Sequence, residues 1–108
     1  MADDDEQTEQ VRQALLRDAM QNNNPTSRLE RKMYYEELFK ALPLQVILGG
    51  LSAYELSLLY MDAVDEMSPK EIAQVVNEDA DRVRYQVNKI YAKIRYRVRK
   101  LLLEGWRP

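Results

Sequence analysis

The chain has 108 residues, of which 45% are apolar and 31% charged, and it contains three Gly and four Pro. This size and composition predict a soluble, helix-rich globular protein rather than a disordered or fibrous one. The chain has no Cys and no His, which excludes disulfides, Cys or His zinc sites, Cys nucleophiles and histidine acid/base catalysis. It has no apolar run of about 18 residues, and acids stand where a secretory signal would be basic. We therefore expect a cytoplasmic protein that does not enter a membrane.

Charge is distributed unevenly along the chain. Residues 1–81 hold 17 acids and 7 bases, a balance of −10, whereas residues 82–108 hold 9 bases and one acid, a balance of +8. A basic final quarter after an acidic body indicates a polyanionic or acidic partner for that quarter. The alternative is that the two parts neutralise each other within one fold.

The first two predicted helices form an acidic N-terminal arm. Apolar residues at helical spacing predict a helix that begins near residue 8 and ends at about Met20. These apolar residues are Val11, Ala14, Leu15 and Ala19. Ser27 and Glu30 have the spacing of a capping box and predict a second helix that ends at about Leu42.

An apolar connector follows the arm. It covers residues 44–48 and ends in Gly49 and Gly50, which allow the chain to bend. We therefore predict a boundary here, between an N-terminal helical arm with its connector at residues 1–50 and a second module at residues 51–108.

The second module begins with two helices that each have a start signal. Ser52 and Glu55 have capping-box spacing, and so do Ser68 and Glu71. The first helix is predicted to end near residue 66. The second is short, because Asn77 tolerates the left-handed conformation of a tight helix-ending turn.

The last predicted helix is long and runs from about Ala80 to Glu104, with Gly105 as its C-terminal stop. At about 100° per residue, one sector of this helix must be buried and a neighbouring sector is basic. The buried sector consists of Val83, Val87, Ile90, Ile94, Val98 and Leu101. The basic stripe consists of Arg82, Gln86, Lys89, Lys93, Arg97 and Lys100. The expected fold is all-α, with about five helices.

The buried sector repeats at nearly heptad spacing, which leaves two interpretations open. The sector is either the seam of a homodimer or a surface whose second half Leu29, Met33 and Leu38 of the arm cover within one chain. The C-terminal end of the helix is a candidate surface for a partner or a second copy, although Trp106 also suits a cap on the core. The candidate residues for this surface are Ile94, Val98, Leu101, Leu102 and Trp106.

A short helix, a tight turn and a longer basic helix follow the plan of a helix-turn-helix, whose second helix enters the major groove of DNA. Arg and Lys neutralise phosphates, and Arg, Lys and Gln hydrogen-bond base edges. Tyr85, Tyr91 and Tyr96 either stack on bases or pack on neighbouring helices, and packing is the favoured interpretation.

Residues 51–103 resemble region 4 of bacterial RNA polymerase sigma factors, especially the small extracytoplasmic-function type. The matching positions are Leu51, Ser52, Leu58, Leu59, Met67, Ser68, Glu71, Ile72, Ala73, Val83, Lys93 and Ile94. The segment also resembles the LuxR/GerE-type DNA-binding domain. The positions shared with that domain are Lys70, Glu71, Ile72, Ala73, Val87, Ile90, Tyr91, Lys93 and Ile94. The sequence does not separate the two families.

The resemblance implies a four-helix helix-turn-helix domain that contacts promoter DNA, with RNA polymerase or another transcription regulator as a protein partner. The family's DNA-facing positions correspond to Arg82, Arg84, Tyr85, Gln86 and Lys89. Lys93 and Arg97 lie farther along the same helix and are candidates for contacts with the DNA backbone. About 50 residues before the module are too few for the domain that melts a promoter, so we expect a protein with region 4 alone.

The sequence predicts no catalytic residue, metal site or cofactor. Adjacent acids such as Glu36 and Glu37 point about 100° apart on a helix, so they do not converge on a proton or a metal ion. The predicted function is therefore that of a DNA-binding transcriptional regulator and not of an enzyme. The alternative is a protein-interaction module that imitates or assists region 4 without binding DNA itself.

Overall fold

The computed structural model describes residues 2–22 and 29–108, with side chains at 6–21 and 33–108. Within these ranges the protein is all-α and contains six helices. They are α1 (Ala2–Asn22), α2 (Leu29–Ala41), α3 (Leu44–Leu48), α4 (Ala53–Ala63), α5 (Pro69–Val76) and α6 (Ala80–Leu103). The predicted all-α class is confirmed, with one helix more than expected. The predicted capping box of Ser27 and Glu30 lies outside the described residues.

Two differences from the predicted elements lie before residue 50. α1 begins at Ala2 rather than near residue 8; its first turns contain no large apolar residue, so no apolar periodicity marks them in the sequence. The additional helix is α3, which lies in the stretch predicted to be a connector. Its five residues, between Pro43 and Gly49, are too few for a helical period to be recognised.

The starts of α4 and α5 confirm the two predicted capping boxes. The Ser52 hydroxyl accepts a hydrogen bond from the Glu55 backbone N–H at 3.1 Å, and the Ser68 hydroxyl accepts one from Glu71 at 3.2 Å. Each glutamate carboxylate in turn accepts a hydrogen bond from the backbone N–H of its serine. The pKa of Glu71 is lowered, because this N–H stabilises the ionised carboxylate.

The turn between α5 and α6 is short and centred on Asn77. This residue adopts the predicted left-handed conformation, with φ 57° and ψ 50°, and its N–H donates to the Ala73 carbonyl. The Glu78 N–H donates to the same carbonyl at 3.0 Å. Because Asp79 is already the N-cap of α6, the turn fixes the direction of α6 relative to α5.

A single hydrophobic core contains side chains from all six helices. α6 packs against α1, α3, α4 and α5, and α1 also packs against α2 and α4. Among the most deeply buried side chains are Leu15, Leu38, Ile47, Leu58, Ile72 and Ile90, one from each helix. The domain boundary near residue 50 stays a prediction, because the shared core does not test it.

The predicted buried sector of α6 lies in this core within one chain. Its first five residues, Val83 to Val98, are each 8% exposed or less, and Leu101 is partly exposed. Of the residues expected to cover the sector, Leu38 is buried but Met33 is 57% exposed. The side chain of Leu29 lies outside the described residues.

Polar contacts fix the rotation of α6 about its own axis. The Tyr91 hydroxyl donates to the Asp62 carboxylate on α4 at 2.7 Å, and Arg95 donates to both carboxylate oxygens of Asp18 on α1, at 2.8 and 2.7 Å. Burial raises the pKa of Tyr91, and the adjacent Asp62 carboxylate raises it further. Tyr91 therefore stays neutral and keeps donating its proton, which holds one side of α6 against the body of the protein.

Candidate nucleic-acid interface

The N-terminal half of α6 presents a polar surface to solvent, opposite the side that packs on α5 and α4. We call this surface the α6 polar face; it consists of Arg82, Arg84, Tyr85, Gln86, Asn88 and Lys89. All of these residues are exposed except Gln86, which is half-buried. The structure therefore brings together the five residues that the family resemblance marks as DNA-facing.

Two arginines of the α6 polar face form ion pairs with acids close in sequence. Arg82 Nε lies 3.2 Å from Glu78 Oε2, and Arg84 Nη1 lies 2.9 Å from Asp81 Oδ1. Both arginine side chains remain more than half exposed, at 64% and 58%. Exposed pairs of this kind contribute at most about 1 kcal/mol, so a phosphate can replace either carboxylate at small cost.

The other members of the face contact one another or α4. The Lys89 ammonium lies 5.7 Å from the centre of the Tyr85 ring, within the range of a cation–π interaction. Gln86 accepts a hydrogen bond from the hydroxyl of Tyr54 at 3.3 Å. Tyr54 is on α4 and 41% exposed, so α4 extends the polar surface beyond α6.

Lys93 and Arg97, farther along the basic stripe, are bound to other helices. Lys93 Nζ donates to Glu55 Oε2 at 2.6 Å. Arg97 donates to the Val46 carbonyl at 3.2 Å, and its guanidinium lies so close over Gly50 that a Cβ there would overlap with it. These two cations join α6 to α4 and to α3 respectively.

The contact with Lys93 also changes the acidity of Glu55. Its pKa is lowered, first because Lys93 donates a hydrogen bond to the carboxylate and then because a backbone N–H donates another. Glu55 therefore completes a capping box and an interhelical ion pair with Lys93 at the same time.

Two polar residues were not predicted from the sequence: Asn88 of the α6 polar face and Tyr54 of α4, which lies beside it. Asn88 lies between Arg84 and Tyr85 around the helix axis, at about 100° per residue, and its amide suits hydrogen bonding to a base edge. Its outward position follows from the helical period, but Asn carries no charge, so the basic pattern of α6 does not mark it. No local pattern marks the contact of Tyr54 with a residue 32 positions later.

The residues predicted for a partner or dimer surface are not all accessible. Ile94 and Val98 are buried in the core. Leu101, Leu102 and Trp106 are partly exposed at its edge. A partner reaches the last three without rearrangement of the helices, whereas the first two serve the core.

The three tyrosines predicted to stack or to pack differ in position. Tyr91 is buried and packs against α4 through its hydrogen bond to Asp62. Tyr85 and Tyr96 are 63% and 66% exposed. Packing therefore accounts for Tyr91, and the other two rings remain accessible from solvent.

The residues that the structure describes contain neither a metal-binding cluster nor a membrane-spanning helix. No group of three or more acidic side chains there is arranged to hold a metal ion. None of the helices in 2–22 and 29–108 is long and apolar enough to cross a membrane.

Known proteins do not decide between the interpretations. No family model matches the chain, and no curated protein or solved structure matches it significantly. The likeness to sigma region 4 and to the LuxR/GerE domain therefore rests on the residues that carry it, and function must be argued from the α6 polar face.

Proposed function

We propose that this protein is a transcriptional regulator that binds duplex DNA with α5, the turn at Asn77 and α6, as a helix-turn-helix resembling sigma region 4. One observation carries the proposal: the α6 polar face is exposed on a helix whose opposite side is fixed by α5 and α4. An α-helix about 10–12 Å across fits a major groove about 12 Å wide. The first half of α6 is the part that enters the groove.

Side chains of the α6 polar face divide into two roles in this proposal. Gln86 and Asn88 offer amide groups, which pair with adenine edges. Arg82, Arg84 and Lys89 offer cations to phosphates or to guanine edges. Lys93 and Arg97 keep their contacts with α4 and α3, so they hold α6 in position more than they bind the DNA backbone.

The acidic body does not prevent such binding. Its charges are screened over about 8 Å at physiological salt, whereas the exposed cations of α6 lie at the contact surface itself. Two acids at the start of this helix, Glu78 and Asp81, each already neutralise one arginine of the α6 polar face. We therefore expect moderate duplex affinity with a steep dependence on salt.

The test compares an interface variant with a control that loses the same charge. The interface variant carries Arg82→Ala, Arg84→Ala and Lys89→Ala. The control carries three substitutions of exposed cations outside the α6 polar face: Arg17→Ala, Lys40→Ala and Arg107→Ala. Fluorescence anisotropy of a labelled duplex at several salt concentrations gives the Kd and its salt dependence, and circular dichroism verifies the helix content of each protein.

We expect the wild type and the control to bind duplex DNA. The interface variant should bind at least about tenfold more weakly, and its salt slope should fall by up to about three units, because up to three phosphate contacts are lost. Equal affinities of the two variants would rule out the assigned surface. Absence of duplex binding by the wild type at low salt would rule out the DNA-binding function.

A second candidate function is a protein-interaction module that binds RNA polymerase or another regulator and not DNA. The observation that favours it is the pairing of Arg82, Arg84 and Lys93 with acids of the same chain, which reduces the positive potential of α6. Binding to purified bacterial RNA polymerase that persists in the triple interface variant and is lost in Leu102→Asp would support this candidate.

A further inference from the structure

A groove of about 690 Å³ lies between α2 and the C-terminal third of α6. We call it the α2–α6 groove. One wall is aromatic and comes from α2, with Tyr34, Tyr35 and Phe39; the other includes Leu102 and Leu103 of α6. The groove is separate from the α6 polar face. At about 100° and 1.5 Å per residue, Leu102 points about 140° away from Lys89 and lies about 20 Å farther along α6.

Large apolar side chains on both walls of the groove are open to solvent. Leu103 is 81% exposed and Tyr34 49% exposed. The ring centres of Tyr34 and Tyr35 are 5.8 Å apart in an edge-to-face arrangement, and those of Tyr35 and Phe39 are 6.4 Å apart. Exposed aromatic and aliphatic side chains on the two walls offer anchor positions for a partner.

Positive charge accompanies the apolar walls. Arg95, Arg99 and Arg107 line the groove, and none of the described lining residues is acidic. Asp18 neutralises Arg95. Arg107 donates to two main-chain carbonyls, at 2.8 and 3.2 Å, and neither Arg107 nor Arg99 forms an ion pair with a residue that the structure describes. Among the described residues, no carboxylate therefore neutralises Arg99 or Arg107 beside the exposed apolar side chains of the groove.

We propose that the α2–α6 groove binds an acidic amphipathic helix of a partner protein. The apolar side chains of such a helix, at positions i, i+3, i+4 and i+7, insert between the aromatic residues of α2 and the leucines of α6. Carboxylates on the flank of the helix pair with Arg99 and Arg107, and bidentate geometry favours arginine over lysine in this role. Charge complementarity thus specifies an acidic occupant.

A second copy of this chain matches the groove less well. In a two-fold dimer the same patch meets itself, so Arg99 and Arg107 would approach the same arginines of the second copy. The acidic start of α1, residues 2–10, offers carboxylates but contains no large apolar residue to fill the groove. A two-fold dimer therefore lacks the acidic charge that the groove requires, and the start of α1 lacks the apolar anchors.

The test uses two fluorescein-labelled peptides of about 15 residues, a length at which helices begin to form in water. One carries Leu and Phe at the four anchor positions and Glu elsewhere on the exposed faces. Its twin has Lys in place of every Glu. Anisotropy titration with the full chain should show the acidic peptide binding at least about tenfold more tightly than its twin.

Two charge-reversal variants, Arg99→Glu in the groove and Arg84→Glu outside it, test whether the peptide binds in the groove. Arg99→Glu should weaken binding of the acidic peptide about tenfold or more, and Leu103→Ala should weaken it several-fold. Arg84→Glu makes the same charge change on an exposed arginine of α6 outside the groove, so peptide affinity should be retained. The same proteins are titrated with duplex DNA, where Arg84→Glu should have the larger effect. The two titrations therefore distinguish failure of the peptide-binding proposal from failure of the DNA-binding proposal.

Three outcomes would overturn the proposal of an acidic partner helix. One is equal affinity for the two peptides, and another is an equal loss of peptide binding in Arg99→Glu and Arg84→Glu. The third is a dimer, detected by sedimentation velocity, that competes with the peptide; this result would assign the groove to a second copy. Amide chemical-shift changes confined to α2 and the end of α6 would support the proposed occupant.

Discussion

Cations on α6 serve different purposes according to the partner that each one has. Arg82 and Arg84 pair with acids three or four residues away and remain mostly exposed, so their contacts can be exchanged for those of a ligand. Lys93 pairs with Glu55, whose side chain is only 22% exposed and lies on another helix. The environment of each side chain, rather than its type, therefore separates a cation that is available to the proposed ligand from one that joins two helices.

A variant of Lys93 tests this distinction through the pKa of Glu55. Lys93→Met removes the largest cause of the lowered pKa, so the pKa of Glu55 should rise towards the ordinary value of 4.5. It should not reach that value, because the N–H of Ser52 still donates to the carboxylate. A carbon-13 NMR titration of the Glu55 carboxyl measures the change.

The sign of the pH dependence follows from the same shift. Because folding lowers the pKa of Glu55, its contribution to stability is present above the unfolded-state pKa and is lost as the pH falls through the folded-state value. This loss should be smaller in Lys93→Met. Lys100→Met, which changes an exposed lysine of the same helix, is the control and should leave the Glu55 titration unchanged. An unaltered Glu55 pKa in Lys93→Met would show that the ion pair does not form in solution.

At the scale of elements, the turn at Asn77 determines how α6 leaves α5. Asn77 has a positive φ of 57°, which costs other non-glycine residues about 1 kcal/mol or more. Asn77→Ala should therefore lower the free energy of unfolding by about 1 kcal/mol, while Asn77→Gly should be nearly neutral. Urea denaturation measures both variants. Equal destabilisation by Gly and Ala would mean that the asparagine side chain, not the backbone conformation, stabilises the turn.

Elements with local start and stop signals could be predicted from the sequence. Each of these signals involves residues within four positions of one another, so a short segment of sequence contains the whole signal. Examples are the capping boxes at Ser52 and Ser68 and the stop at Asn77. α3 could not be predicted in this way. It spans five residues, and one of its carbonyls is bound by Arg97, 51 positions away. A contact across that distance leaves no periodic pattern in the sequence.

In the candidate site, too, some side-chain positions follow from the local sequence and others depend on contacts between distant helices. The outward position of Arg82, Tyr85 and Lys89 follows from the 3.6-residue period of a helix packed on one side. The contact of Gln86 with α4, and the α2–α6 groove, depend on how distant helices meet. Arg99 lies in the wall of this groove, and no local pattern in the sequence indicates that α2 faces it.

In the whole molecule, α6 is the element that all the proposed functions share. It spans 24 residues, about 36 Å at 1.5 Å per residue. Its buried sector contributes to the core, its first half carries the α6 polar face, and its last third forms one wall of the α2–α6 groove. A ligand at either surface therefore acts on the same rigid element, whose rotation is fixed by Tyr91 and Arg95.

The shared core predicts that the chain unfolds as one cooperative unit. Leu15 of α1 is 2% exposed and belongs to the same core as α6. Leu15→Ala should therefore lower the free energy of unfolding by about 2–5 kcal/mol. The fluorescence of Trp106, at the other end of the chain, should report the same lowered midpoint as far-UV circular dichroism.

The control for this experiment is Leu103→Ala, because Leu103 is 81% exposed and its truncation should change stability by less than about 0.5 kcal/mol. A different result would follow if residues 1–50 folded as an independent unit. Leu15→Ala would then lower the midpoint seen by circular dichroism, while the Trp106 transition would stay in place. Such a separation would establish the boundary predicted near residue 50. Coincident transitions would instead show that residues 1–50 and α6 unfold as one cooperative unit.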